Sequence, residues 1–400
     1  MQKMFSVKIK KNTKINLSTF LIQTMVFLLP FLTRELVLFG VVICFAGAFR
    51  TIYKRYKRIN KAYRVLFALY FFVYVLSILF AHNHIAAGRE AMISLIVVIW
   101  CFCVVAICLY DSGIPYRLIS LFLCSVRILA VLYLVAVFTR LGIFRWVLGL
   151  ELVITSNHFC FYIGAGITCS FALLLISHKL LYLLDVIVGI FSIIVSGSRG
   201  ALIAVTVAGI LVLFKINLIN LRTAFILIVI MIIMGSYLFL FGNPFDFLAG
   251  WLQTNLSVTS SFSNRERYAL WTSSLKMFSQ HIFGVGAGNW FEEYAQFYRT
   301  TVNLYPHVHN VYIQYLCELG IQGIGVLIAF IAYSYHSVAN LKNNIEVLPT
   351  KISCIAIVVY SAIAFAFNGS LNSNKPLLLF FMFISICAAM KSEVSGIKGE

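Results

Sequence analysis

The chain has 400 residues, 62% of them hydrophobic and 11% charged, with a mean hydropathy of +0.96. A water-soluble fold of that length cannot hide so much apolar surface, because folded chains keep a large share of their surface in water. The formal charge of +18 suggests nucleic acid only until its distribution is read. Lysines and arginines gather at the ends of apolar runs, where they report membrane orientation and attract anionic lipid.

Those runs are roughly 15–22 residues long, near the length that crosses a ~30 Å hydrocarbon layer. Twelve spans are expected, near 17–32, 36–50, 64–81, 91–109, 118–139, 159–177, 180–196, 201–214, 223–241, 310–335, 352–368 and 376–390. Lys3, Lys8, Lys10, Lys11 and Lys14 precede the first. That run leads through a short loop into another apolar run, so it reads as an uncleaved anchor rather than a signal peptide. Arg50, Lys54, Arg55, Lys57, Arg58, Lys61 and Arg64 follow the second span.

With the N-terminus inside, these clusters fall in the cytoplasm, as do Lys215/Arg222, Lys342/Lys351 and Lys391/Lys398. Segment 242–308 then lies outside, in a bacterial periplasm or on the cell exterior. The expected architecture is one all-α polytopic domain, 1–400, with a single large periplasmic loop at 242–308, inserted before the tenth span and carrying short amphipathic helices. The cysteines all sit in or beside apolar runs, so no disulfide framework is expected in the loop, and Cys101-x-Cys103 reads as packing rather than a metal site.

The external loop is where chemistry is expected. After a Ser/Thr-rich stretch, Asn264-Arg265-Glu266-Arg267-Tyr268 opens an amphipathic helix running to about His281, with Ser263 or Asn264 as its cap. Tyr268, Trp271, Leu275 and Phe278 recur at helical spacing on one face. Arg265 and Arg267 fall in its first turn, where backbone N–H groups also favour an anion. Gly284-Val-Gly286-Ala-Gly288 imitates a nucleotide loop, but it follows a helix and lies outside the cell, so a flexible turn is expected.

On the same outer side, Ser196-Gly197-Ser198-Arg199-Gly200 separates two apolar runs. Arg199 reads either as a snorkelling anchor or as a planar donor fork that matches phosphate oxygens. Further on, Pro306-His307-Val308-His309-Asn310 leads back into an apolar run. A histidine there is in water yet at the membrane face, suited to handling a proton beside a lipid-linked substrate.

Ser196-Gly-Ser-Arg199-Gly, Arg267-x-x-x-Trp271, Phe283-Gly-Val-Gly286 and His309-Asn310-x9-Gly320-x-x-Gly323 together resemble the motif series of the bacterial O-antigen ligases, within the superfamily that also holds the O-antigen polymerases. The resemblance covers roughly 190–330, and the His-Asn-x9-Gly-x-x-Gly element is its most specific part. It implies a GT-C-like membrane glycosyltransferase. Such an enzyme moves a glycan from undecaprenyl diphosphate to a sugar hydroxyl of lipid A-core, without nucleotide sugar, cofactor or metal.

Under that resemblance Arg199, Arg265 and Arg267 cradle the diphosphate. His309, at the head of the motif, is the general base, in preference to His307. Direct attack by the acceptor inverts the anomeric centre. Asn310 and Gln314 support His309 or the sugar, and Glu318 lies too deep for direct contact. His307, two residues from His309 at the start of a helix, is expected to point away from it. Membrane lipid is an expected partner; nucleic acid is not.

Two further readings stay open. A polymerase of this superfamily usually carries two large external loops with Arg-x10-Gly patterns. Here none of Arg140, Arg145, Arg265, Arg267 or Arg299 has glycine eleven positions on, which favours the ligase. A lipid-linked oligosaccharide flippase would line a path with ionisable residues inside its spans, for which Arg127 and Asp185 are the candidates.

Overall fold

The computed structural model describes residues 16–139, 156–196, 198–218, 220, 222–223, 226–227, 264–301, 304–339, 341, 347–367 and 374–396. Its helices are α1 (Leu17–Leu28), α2 (Arg34–Arg55), α3 (Lys61–Ser77), α4 (His84–Cys108), α5 (Ile114–Thr139), α6 (Ser156–Ser177), α7 (Leu180–Ser196) and α8 (Arg199–Lys215). After these come α9 (Asn264–Gln280), α10 (Trp290–Glu293), α11 (Val311–Ala339), α12 (Leu348–Ala364) and α13 (Asn374–Gly396). Each expected span except 223–241, which falls mostly outside the described residues, coincides with one of them.

Among the described residues seven helical stretches are long and apolar enough to cross a membrane, and α1, α7, α8 and α12 are shorter apolar helices. The exposed side chains of these helices are themselves large and apolar, including Phe39 and Phe49 on α2, Phe72 on α3 and Ile187 on α7. A soluble protein would bury them; a lipid-facing surface does not need to.

Local signals set the helix starts. Asn60 Oδ1 accepts from Ala62 N at 2.9 Å, and Asn83 Oδ1 from Ala86 N at 3.0 Å, so each side chain satisfies a donor that a helix start leaves open. Pro349 stands at the start of α12, where its missing N–H costs nothing.

In the interior, α6 packs against α7, α8 and α12, α4 against α2, α3 and α13, and α11 against α3, α12 and α13. Aromatic rings join the second group: Phe67 meets Phe330 at 4.6 Å and Phe381 at 5.4 Å between centroids. All ten cysteines are free thiols, nine of them buried.

The two ionisable candidates of the spans, Arg127 on α5 and Asp185 on α7, bind each other. Arg127 Nε and Nη2 reach the two Asp185 oxygens at 2.7 and 2.8 Å, and Ser170 Oγ donates to the same carboxylate at 2.9 Å. A closed bidentate pair of this kind satisfies the charge inside the bundle.

The long run entering from His309 does not form one straight helix. Within α11, Gly320 adopts φ 70°, ψ −166°, breaking the helical ladder three turns in. The sequence reading gave no warning of this break, and it governs the site.

Candidate functional site

The break and the glycine loop are one structure. Without regular helix at Gly320, the carbonyls of Cys317 and Glu318 lose their intrahelical donors. They accept instead from Val285 N at 2.8 Å and Gly286 N at 3.0 Å, while Ile321 N donates to Ile282 O at 3.1 Å. Gln322 Nε2 adds a bond to Phe283 O at 2.9 Å. The backbones approach so closely that a Cβ on Gly284 would lie 2.4 Å from Glu318 O, and one on Gly320 2.4 Å from Phe283 C.

Both glycines also hold positive φ, 88° and 70°, which side-chain-bearing residues resist. Gly284-x-Gly286-x-Gly288 is therefore not the flexible turn expected from its composition. Residues 284–287 are buried, and the loop plugs the break in the helix.

The far end of the plug fastens to the turn between α3 and α4. Asn83 N donates to Asn289 Oδ1 at 2.6 Å, Asn289 Nδ2 returns to Asn83 O at 3.2 Å, and Ala287 N reaches Ser77 Oγ at 3.2 Å. Beneath it, Gln314 Nε2 donates to Glu318 Oε1 at 3.0 Å, both residues being buried. Glu90 of α4, also buried, meets Arg34 of α2 at 3.3 Å. Gln314, expected to orient His309 or the sugar, is buried and gives its Nε2 donor to the Glu318 carboxylate.

Helix α9 lies over this assembly. Of the face expected from Tyr268, Trp271, Leu275 and Phe278, Trp271 and Phe278 pack partly buried against the core beneath the helix, whereas Tyr268 and Leu275 are exposed; Leu270, Ser273, Ser274 and Met277 are buried. Two small serines complete the buried stripe because they let neighbours come close. Trp290 Nε1 donates to Ser274 Oγ at 3.1 Å, and Cys317 Sγ reaches Ser274 O at 3.0 Å. Trp290 stacks on Tyr294 at 4.8 Å, and Tyr294 OH meets Thr301 Oγ1 at 2.8 Å. The cap expected at Ser263 lies outside the described residues.

The expected site residues can now be located. Arg267 is half-buried in the first turn of α9; Arg265 is described by backbone alone. One turn beyond Arg267, Trp271 Nε1 donates to Val308 O at 3.1 Å, tying this helix to the residue before His309. His309 has φ 59°, a left-handed backbone that folds its ring back toward His307. The two imidazole centroids lie 4.2 Å apart, and Tyr305 stands edge-on to His309 at 6.3 Å. The expected divergence of His307 from His309 is thus overturned: both precede the helix, so helical geometry does not apply to them.

Asn310 is the true helix start. Its Oδ1 accepts from Ile313 N at 3.1 Å and caps the helix.

Arg199 is the first residue of α8 and is likewise described by backbone alone. The turn that ends α12 links it to the histidines. Phe365 O accepts from Val311 N at 2.9 Å, and Phe367 packs on the Gly200 backbone so tightly that a Cβ there would lie 2.4 Å from Phe367 Cβ. Three chain segments, opening α8, α9 and α11, thus gather at one end of the bundle. Among the described residues no group of three or more His, Cys, Asp or Glu side chains could hold a metal ion.

A multi-pass helical membrane protein is the class this architecture defines. A family model described as O-antigen ligase matches residues 184–328, from within α7 to the middle of α11, so over that stretch the chain is similar to the O-antigen ligases. The matched stretch contains Arg199, Arg265, Arg267, the glycine plug, His309 and the Gly320 break. No curated protein matches the chain. The family takes in O-antigen ligases and polymerases, enzymes of glycosyl transfer in O-antigen assembly.

Proposed function

We propose that the chain is an O-antigen ligase of the bacterial inner membrane, with its active site on the periplasmic face. It transfers undecaprenyl-diphosphate-linked polysaccharide to a sugar hydroxyl of lipid A-core. The observation that carries this reading is the meeting of the Arg199 turn, the Arg267 turn and His309 at one end of the bundle, through Phe367 on Gly200, Phe365 O with Val311 N, and Trp271 with Val308 O.

The chemistry needs two things from the protein. The leaving group is a diphosphate, whose developing charge is met by cations; one preorganised partner of this kind is worth ~10²–10³ in rate. Arg199, Arg265 and Arg267 supply them, each with a fork that matches two phosphate oxygens. The acceptor hydroxyl must also lose a proton as its oxygen attacks the anomeric carbon and the carbon–oxygen bond to the diphosphate breaks. His309 takes that proton, and the anomeric centre inverts. No step requires a metal.

Within the helical frame, Asn310 and Gln314 support the site indirectly, one capping α11 and the other holding Glu318. Arg127 and Asp185, the two charges on which a flippase reading would rest, are closed on each other. Lipopolysaccharide analysis of a deletion strain tests the reading. A ligase leaves lipid A-core bare while long polymer accumulates on undecaprenyl diphosphate. Cores capped by a single repeat unit identify a polymerase instead.

A further inference from the structure

At the end of the bundle opposite the histidines, a cavity of about 700 Å³ opens between the C-terminal ends of α6, α8 and α11 and the start of α12. Its walls are mixed. Leu175, Phe214 and Ile352 are apolar, but Lys215 and Lys351 also line it.

The lysines are not placed as ordinary interfacial anchors. Lys351 is only 3% exposed, although a lysine at a membrane boundary normally carries its ammonium out to water. It is the fourth residue of α12, beside the helix end whose dipole is positive and disfavours a cation. Its Nζ donates to Leu341 O at 2.5 Å, which holds the side chain in place. Lys215, in the last turn of α8, lines the same cavity, and its ammonium stands 5.8 Å from the Tyr335 ring centroid. Two ammonium groups and a helix N-terminus thus converge on one cavity, an arrangement that an anion relieves.

We propose that this cavity binds the phosphate headgroup of an anionic membrane lipid, the phosphate between Lys215 and Lys351 and the glyceride portion along Leu175, Phe214 and Ile352. The apolar walls favour a lipid over free phosphate, which would gain nothing from them. By the charge pattern of the sequence this end faces the cytoplasm, where anionic headgroups supply the ligand. The assignment does not depend on the transfer chemistry at the other face.

Native mass spectrometry of the purified full-length chain, released from neutral detergent, reads the site directly. Phosphatidylglycerol, phosphatidylcholine and inorganic phosphate are titrated in separate series. Phosphatidylglycerol should bind at one saturable site, with phosphatidylcholine and phosphate far weaker. Lys215→Gln, at a half-buried position, should weaken phosphatidylglycerol about fivefold, the effect of one lysine near a charged lipid surface. Lys351→Met should do the same or more if it folds, and Lys215→Gln carries the test if it does not. Arg50→Gln, among the basic residues between α2 and α3, should leave binding unchanged. Equal binding of phosphatidylcholine, equal binding of phosphate, an unaffected Lys215→Gln, or equal weakening by Arg50→Gln would each overturn the proposal.

Discussion

The imidazole rings of His307 and His309 lie 4.2 Å apart, brought together by the left-handed backbone at His309. If His309 is the base, His307, packed against its ring, is a positioning group, so His307→Ala should lower the rate partly while donor binding is kept. His309→Ala should abolish transfer with donor binding intact. The measurement is ligation in vitro with purified lipid-linked donor and core acceptor, read by gel shift; a wild-type rate in His307→Ala removes that ring from the mechanism, and near wild-type turnover by His309→Ala removes His309 as the base.

Gly320→Ala tests whether the helix break builds the site. The added Cβ meets Phe283 backbone at 2.4 Å, at a φ of 70° that alanine resists. Backbone strain alone costs about 1–3 kcal/mol, and the plug of residues 284–287 is the part free to yield. The expected result is faster proteolysis between 281 and 290 and loss of transfer, with the chain still membrane-inserted. Gly325→Ala, where nothing lies within 4 Å of the new Cβ, is the matched control and should behave as wild type.

Much of this fold was legible because apolar length and terminal charge are properties of single segments. The motif residues were legible as a set through their spacing. Their geometry was not, since it depends on partners distant in sequence. Nothing local to Gly320 announces that Val285 and Gly286 will replace its helical donors, and a run of glycines reads as mobility until the receiving carbonyls are seen. Likewise the α9 stripe was misread in part because aromatic residues dominate a hydrophobic pattern. The buried positions, Ser273 and Ser274, were chosen for close approach and hydrogen bonding. Arg127 and Asp185 were each visible as a buried charge, but their pairing joins α5 to α7 and no sequence interval encodes it.

That ion pair has its own consequence. Removing one partner strands the other, a loss of about 3–5 kcal/mol for a buried pair, taken at the low end because the Arg127 side chain keeps 30% exposure. Asp185→Ala should lower the thermal midpoint in detergent and the inserted level, whereas Arg127→Leu combined with Asp185→Leu should recover most of both. A single variant as stable as wild type would show that the pair is not a structural tie, and would reopen the polar-path reading of these two residues.

Trp271 connects the arginine helix to the histidine segment through one donor, Nε1 to Val308 O at 3.1 Å. Trp271→Phe keeps a ring in the same packing and deletes that bond, at a net cost of about 1 kcal/mol. The expected effect is a rate loss out of proportion to the change in stability, since the bond fixes α9 against His309 and small misplacements of catalytic groups are costly. Equal losses in rate and folded fraction would make Trp271 a packing residue only.

The last test separates charge from shape at Arg267, half-buried one turn before Trp271. If it meets the diphosphate through two parallel donors, Arg267→Ala should abolish transfer, and Arg267→Lys should restore only a small part, because an ammonium is a point charge without the planar fork. Both variants should keep wild-type levels of inserted protein, since the buried stripe of α9 is formed by Leu270, Ser273, Ser274 and Met277. A preorganised charge partner contributes ~10²–10³ in rate, so the alanine variant should fall at least that far at saturating acceptor. Binding of a lipid-linked diphosphate donor, measured separately, should weaken in both variants but not in His309→Ala, which assigns leaving-group charge to the arginine and proton removal to the histidine. Full transfer by Arg267→Ala would take that residue out of the site and leave Arg265, two positions earlier on α9, as the cation to be tested.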